Sequence, residues 1–199
     1  MLPASLLEQV KNNDSDWEFH REVLSKSELI VDSWEQVRER PQDYQEQQKF
    51  YSGKKKNHTL KSQMIVLPKK VEIIDVTVGK PGPKSDINLF RERQTEFSSR
   101  QKFKADKGYL GSKQIETPHK KPKNQELTPE QKQENKQLST QRIIVEHVIR
   151  LVKIFRIAQE RFRLRQKHYE QVILTVCGLV RLRIRALILP ILKPVGNQG

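Results

Sequence analysis

The sequence predicts a single α/β domain, a mixed β-sheet flanked by helices, and three observations carry that reading. Short apolar runs rich in β-branched residues fall at 28–32, 64–67 and 71–78, and a shorter strand pattern follows at 102–106, each bounded by turn-forming residues. Two long helical patterns come later, at 139–156 and from about 168 to 187. A chain of 199 residues is long enough for one ordinary core and too short for two.

In chain order, residues 1–27 are polar and patternless apart from LLEQV, and are expected to form a helical fragment or an N-terminal arm. ELIVD at 28–32 reads as a buried strand with Asp32 at its C-terminal edge. The basic segment KFYSGKKKNHTLK leads to a second strand at 64–67, and Pro68-Lys69-Lys70 turns the chain into a third, VEIIDVTV. Three successive strands suggest an antiparallel meander. GKPGP then breaks the chain, and Ser85 or Asp86 can cap a helix running to about Phe97. KFKADKGYLG is a short strand entering a glycine turn, with Asp106 at its end. Residues 117–134, rich in Pro, Lys and Gln, read as an exposed loop. The helix STQRIIVEHVIRLVKIFR follows, apolar around most of its circumference and therefore expected to be largely buried. After the linker RFRLRQ a last helix closes the domain, whose expected limits are 28–189, with 190–199 as a flexible tail.

Charge narrows the function. The chain has 38 Lys plus Arg against 24 Asp plus Glu, net +14, with a pI near 9.9. Such a balance points to a polyanionic partner, nucleic acid above all. An anionic membrane surface is the weaker rival, because the cations are not gathered on one amphipathic helix. No run reaches membrane-spanning length and no signal segment opens the chain. The single cysteine, Cys177, lies in an apolar run where packing is the ordinary role, and one thiol suits a reducing cytoplasm.

Three carboxylates give the chemistry. Arg142, Glu146 and Lys153 sit at i, i+4 and i+11, within about 40° of one another on a helix. An Arg142–Glu146 pair supporting an ordinary helix is the plain reading; a metal ligand flanked by cations for an anionic substrate is the sharper one. Asp32 and Asp106 at strand ends decide between them: three strands, a helix, a fourth strand and a later acidic helix is the order of an RNase H-like core. Adjacent central strands would set the two aspartates side by side, with Glu146 supplied from the helix packed across them. Hard oxygen ligands of this kind suit two Mg²⁺ ions acting on a phosphodiester.

Four stretches carry a family resemblance: FYSGKKKNHTLK at 50–61, PGPKSD at 81–86, KADKGYLG at 104–111 and QRIIVEHVIRLVK at 141–153. Through them the chain resembles the DDE transposases of bacterial insertion sequences, on the branch related to Harbinger elements. The resemblance implies Asp32, Asp106 and Glu146 as the catalytic, metal-holding acids and two Mg²⁺ ions, replaceable by Mn²⁺, as cofactor. It implies hydrolysis of a phosphodiester at an element end, followed by attack of the freed 3′-hydroxyl on target DNA. The partners it implies are element-end and target DNA, a second copy of the chain on that DNA, and a helical DNA-binding domain, of which residues 1–27 would be a remnant unless an upstream frame supplies it. The place of work would be the cytoplasm, on the bacterial nucleoid. The sequence departs from the family pattern with Ser33-Trp34 where Gly-Thr is usual and with Ser139 in place of a tyrosine. A binding-only remnant and a domesticated nuclease are the alternative readings.

The DNA-binding candidates are Lys54, Lys55, Lys56, His58, Lys61, Arg142 and Lys153. The segment 47–71 has seven lysines and no acid, which favours backbone contact over a merely solvated loop once a phosphodiester site lies beside it. His58 is balanced between a phosphate contact or general base and a structural hydrogen bond. Asp86 reads as a helix cap, with an accessory acid as its rival; Tyr109 reads as core or turn packing rather than a stacking surface.

Overall fold

The expected meander forms, and its strands are longer than the apolar runs that announced them. The computed structural model describes residues 2–11, 17–123 and 125–188. In chain order these give α1 (Leu6–Lys11), α2 (Trp17–Ser25), β1 (Glu28–Val37), α3 (Tyr44–Phe50), β2 (Tyr51–Ser52), β3 (Asn57–Leu67), β4 (Glu72–Pro81), α4 (Asp86–Arg91), β5 (Lys102–Lys104), β6 (Ile115–Glu116), α5 (Pro129–Lys153), α6 (Arg156–Gln159) and α7 (Tyr169–Ile188). β3 pairs antiparallel with β1 and with β4, and β5 joins the far side of β1 in parallel. The result is a mixed sheet of six strands, flanked by helices, with the RNase H-like α/β architecture that the element order predicts.

The period of two along the strands sorts side chains to two faces. Ile30, Trp34, Leu60, Met64 and Val66 pack with Val145, Val148, Val152, Ile173 and Val180 of α5 and α7. Leu29, Val31, Ile65 and Phe103 pack on the other face with Leu7, Phe90 and Tyr109. The segment ahead of β1 thus contributes to the core: Leu7 is buried, and Arg181 of α7 donates to the carbonyls of Pro3 and Ser5. The expected tail 190–199 lies outside the described residues.

Four element limits differ from expectation. β1 continues past Asp32 to Val37, so Asp32 is mid-strand; the alternation of buried Trp34 and Gln36 in SWEQV is the extension. β3 begins at Asn57 rather than 64 because its first half is polar yet buried, with Thr59, Lys61, Ser62 and Gln63 all enclosed. The helix after GKPGP stops at Arg91, giving way to a short 3-10 turn, Gln94–Glu96. α5 starts ten residues earlier than 139, at Pro129, under a capping box in which Thr128 Oγ1 accepts from Gln131 N (3.3 Å) and Gln131 Oε1 accepts from Thr128 N (3.1 Å). Nor is it largely buried: Leu138, Val145, Val148, Ile149 and Val152 form one stripe against the sheet, while Ile143 and Ile154 face solvent.

Candidate active site

Asp32 follows Ile30 on the strand face that meets α5. Ile30 is paired with Lys104 of β5, so Asp32 and Asp106 lie two residues beyond the same rung of a parallel ladder. Phe103 and Ala105 belong to the opposite core, which turns Lys104 toward the α5 side; Asp106 lies just past the end of β5, at the start of the turn Lys107–Tyr109. α5 crosses this face and presents Arg142 and Glu146 one turn apart. The Arg142 guanidinium stands between two acids, 3.7 Å from Asp32 Oδ2 and 3.8 Å from Glu146 Oε1.

Burial raises the Asp32 carboxyl from an ordinary 3.8 to about 6. The Ser33 backbone N–H, donated at 2.8 Å, and the Arg142 charge pull it back, while Asp106 and Glu146 push it further up. Three acids thus act on one another, and one arginine offsets them in part. Glu146 is not a buried carboxylate, however: its side chain is 55% exposed. Asp106 has a local duty as well, accepting from Gly108 N at 2.8 Å to cap the turn Lys107–Tyr109; this is the ordinary turn role for an aspartate, and it leaves the second carboxylate oxygen for other work.

A cleft of about 390 Å³ opens beside these residues, lined by Asp32, Trp34, Glu146, Arg150 and Lys153 among others. Lys153 is half-buried; desolvation and the charge of Lys55 lower its pKa, and Asp32 raises it. It therefore stands within electrostatic reach of both an acid and the lysine hairpin. Lys54, Lys55 and Lys56 form that hairpin between β2 and β3 and are exposed. Lys61 departs from its expected place on a basic loop: it is enclosed in β3, its ammonium 3.0 Å from Asp86 Oδ1 and 3.8 Å from Glu35 Oε1. An ammonium so engaged is part of the scaffold. His58 is partly buried in β3, its ring edge-on to Tyr51, and desolvation together with Arg40, Arg38 and Arg161 lowers its pKa.

Behind β1, on the face away from α5, lies a network that the sequence did not announce. Ser33 Oγ donates to Asp86 Oδ1 at 2.6 Å, and Gln63 donates to the Tyr109 hydroxyl at 3.0 Å and the Asp86 carbonyl at 3.3 Å. Ser85, not Asp86, caps α4, its Oγ accepting from Asn88 N. Gly108 is pressed into this network: a Cβ there would stand 2.8 Å from Asp86 Oδ2 and 3.0 Å from Asp106 Oδ1, so a larger residue would push these carboxylates out of their present hydrogen bonds. The one available signal was register, since Ser33 pairs with Gln63 and Glu35 with Lys61, and register is invisible before pairing is known. Tyr109 is fully buried, in keeping with the packing role read from sequence.

As a donor set the three acids fit a divalent cation: they are hard oxygen ligands with like charges incompletely neutralised, and a cationic group already lies between two of them. Among the described residues no three His, Cys, Asp or Glu side chains are drawn together closely enough to form a ready ligand cluster. No helix among the described residues is long and apolar enough to cross a membrane. Burial pushes the Cys177 thiol up to about 12, as befits a packing residue.

Comparison with known proteins gives the family. Residues 31–181 match the model of the DDE superfamily endonuclease domain. The chain is 42% identical over 145 residues to a probable transposase for insertion sequence element IS702 from Microchaete diplosiphon, an alignment covering 71% of this chain and 51% of that protein. It thus spans about half the length of the curated relative it matches. No solved structure matches. With the matched span running from the strand of Asp32 to the helix α7 that closes its core, the chain belongs to the DDE superfamily of endonucleases.

Proposed function

We propose that this chain is the catalytic part of an insertion-sequence transposase, hydrolysing a DNA phosphodiester at an element end and joining the freed 3′-hydroxyl to target DNA. The observation that carries the reading is the convergence of charge on Asp32, whose carboxyl is raised by its burial and by Asp106 and Glu146, in a domain of the DDE endonuclease family. Asp32, Asp106 and Glu146 would hold the divalent ions, Mg²⁺ or Mn²⁺. Bound there, the ions supply Lewis-acid activation of the attacking oxygen and neutralise the leaving one. The protein's own share is positional and electrostatic. Asp32 is fixed by the β1–β3 ladder and by the N–H of Ser33. Arg142 balances Asp32 and Glu146 and presents the remaining guanidinium edge to phosphate. Lys153, in the same cleft, offers a second cation, and Lys54, Lys55 and Lys56 grip the backbone without sequence choice.

Glu146→Gln tests the assignment. It keeps shape and removes charge, so metal-dependent cleavage of DNA carrying the element ends should fall by about a hundredfold or more, while DNA binding in EDTA persists. Because Glu146 is more than half exposed, the melting temperature should barely move. Equal cleavage by wild type and variant would end the catalytic role of α5. A wild type that binds DNA and never cleaves it, even with an upstream DNA-binding domain supplied, would make this a binding protein.

A further inference from the structure

A second cleft, of about 460 Å³, lies between α3 and the β2–β3 hairpin, lined by Arg40, Tyr44, Gln47, Gln48, Tyr51 and His58. None of these residues is acidic, and its two aromatic rings are turned outward: Tyr44 is 70% exposed and Tyr51 47%. Exposed tyrosines beside arginine, away from any core, mark a surface built for contact rather than for folding.

The side chains are also held in place. The Tyr51 ring is edge-on to His58 at 5.5 Å between centroids. The Tyr44 hydroxyl accepts from Gln48 Nε2 at 2.9 Å. Arg40 is fixed by Gln47, whose Oε1 accepts from Nε and Nη2 at 3.1 and 2.8 Å and whose amide donates to the Pro41 carbonyl at 2.9 Å. Rings and cation fixed before binding lose little entropy on meeting a flat ligand. Arg38, whose guanidinium covers the Phe50 ring at 4.6 Å, and Arg161, which donates to the Arg38 carbonyl, stand at the border, where Glu46 and Glu39 offset part of their charge.

Location supplies the ligand class. Tyr51 and Ser52 pair with His58 and Asn57 across the turn that carries Lys54, Lys55 and Lys56. The charge of Lys55 reaches Lys153 in the cleft of Asp32. Arg38 N donates to the His58 carbonyl, six residues along β1 from Asp32, so the two clefts stand about 20 Å apart at 3.3 Å per residue. That is roughly six base pairs of duplex.

We propose that the cleft between α3 and the β2–β3 hairpin is a stacking pocket for an unpaired nucleobase of the bound DNA, within about six nucleotides of the reactive phosphodiester, with Tyr44 and Tyr51 as its aromatic walls and Arg40 contacting the adjoining phosphate. Stacking on tyrosine is available to every base, so the pocket recognises unpairing and not sequence. This rests on the reading of DNA as substrate.

The test compares wild-type chain, in EDTA, on a blunt duplex and on the same duplex with a single-stranded overhang carrying 2-aminopurine. The overhang should bind roughly tenfold tighter, with the aminopurine fluorescence quenched or shifted on binding. Tyr44→Ala with Tyr51→Ala should remove that preference and the fluorescence change while leaving blunt-duplex affinity in place, and Tyr51→Trp should retain both. Thermal melting confirms folding of each variant. Equal wild-type affinity for the two DNAs, an unaltered fluorophore, or a variant that weakens both DNAs alike would overturn the pocket. So would an unchanged overhang preference with a shifted sedimentation profile, which would make the patch a self-association face. A wild type that binds neither DNA refutes the DNA reading itself.

Discussion

Replacing Asp32 with asparagine should stabilise the metal-free protein, because the carboxylate is held where its charge is costly. Its carboxyl rises from 3.8 to about 6 in the folded chain; at about 1.4 kcal/mol per pH unit the ionised group costs about 3 kcal/mol at pH 7. The asparagine amide would keep an acceptor for the Ser33 N–H, now 2.8 Å from Asp32 Oδ1, and the loss of the charge facing Arg142 at 3.7 Å is already contained in that figure, because the shift is net of the arginine's attraction. The gain of about 3 kcal/mol corresponds to roughly 6–12 °C in a chain of this size. The sign follows from linkage. Below the unfolded pKa both states carry the proton and the substitution changes nothing. As pH rises, the unfolded chain ionises first, so the wild type loses stability from about pH 4 and has lost all of this term once above pH 6. Melting both proteins in EDTA between pH 4 and 8 should therefore show curves that part as pH rises and run level beyond it. Adding Mg²⁺ at pH 7 should then raise the wild-type melting temperature and leave that of Asp32→Asn where it was. A variant that melts below wild type at pH 7, or a difference that ignores pH, would refute the picture of a desolvated carboxylate awaiting a cation.

Two further predictions separate grip and scaffold from chemistry. Replacing Lys54, Lys55 and Lys56 with alanine should weaken binding to all DNA sequences similarly and flatten the salt dependence by up to about three counterions, about 0.9 in slope for each; an unchanged slope would return the hairpin to solvent. Asp86→Asn should cost about 1–3 kcal/mol in chemical denaturation by depriving the enclosed Lys61 of its nearer carboxylate, with cleavage by the folded fraction retained; intact stability with lost cleavage would make Asp86 an accessory acid instead.

The apolar runs located the strands because the middle of the sheet is covered on both faces, and such strands read as continuous hydrophobic blocks. The same rule hid the rest. Residues 57–63 are enclosed but polar, and neither composition nor period marks NHTLKSQ as central strand; only the pairing with β1 and β4 explains it. The first ten residues of α5 are solvated on nearly every side, so no apolar stripe betrays them, and the Thr128-Pro129-Glu130-Gln131 cap was the signal to use. Asp32, Asp106 and Glu146 could be singled out as candidates because each sits beside a recognisable element, and in the fold the charges of Asp106 and Glu146 act on Asp32. The buried place of Lys61 was not legible, since a lysine beside KKK looks like one more surface cation until the partners Asp86 and Glu35 are known. The Tyr44–Tyr51 cleft depends on α3 folding back beside the hairpin, and a seven-residue polar helix leaves almost no trace in sequence.

The β1–β3 ladder runs without interruption through eight rungs, from Ile30 opposite Val66 to Val37 opposite Thr59. Asp32 sits near one end of it and the lysine hairpin springs from the other, so the part proposed to hold the double helix and the part proposed to cut it belong to a single stiff beam. A beam cannot adjust its span. In the proposed complex, any mismatch between the hairpin's hold and the scissile bond must be taken up by curvature or local melting of the DNA, at about 1–6 kcal/mol for a smooth bend of 40–90° over 20–30 base pairs. Easily deformed element ends would then be cut faster than stiff ones of equal affinity, and a protein with no base-reading contact on this beam would still choose among sequences by their pliability.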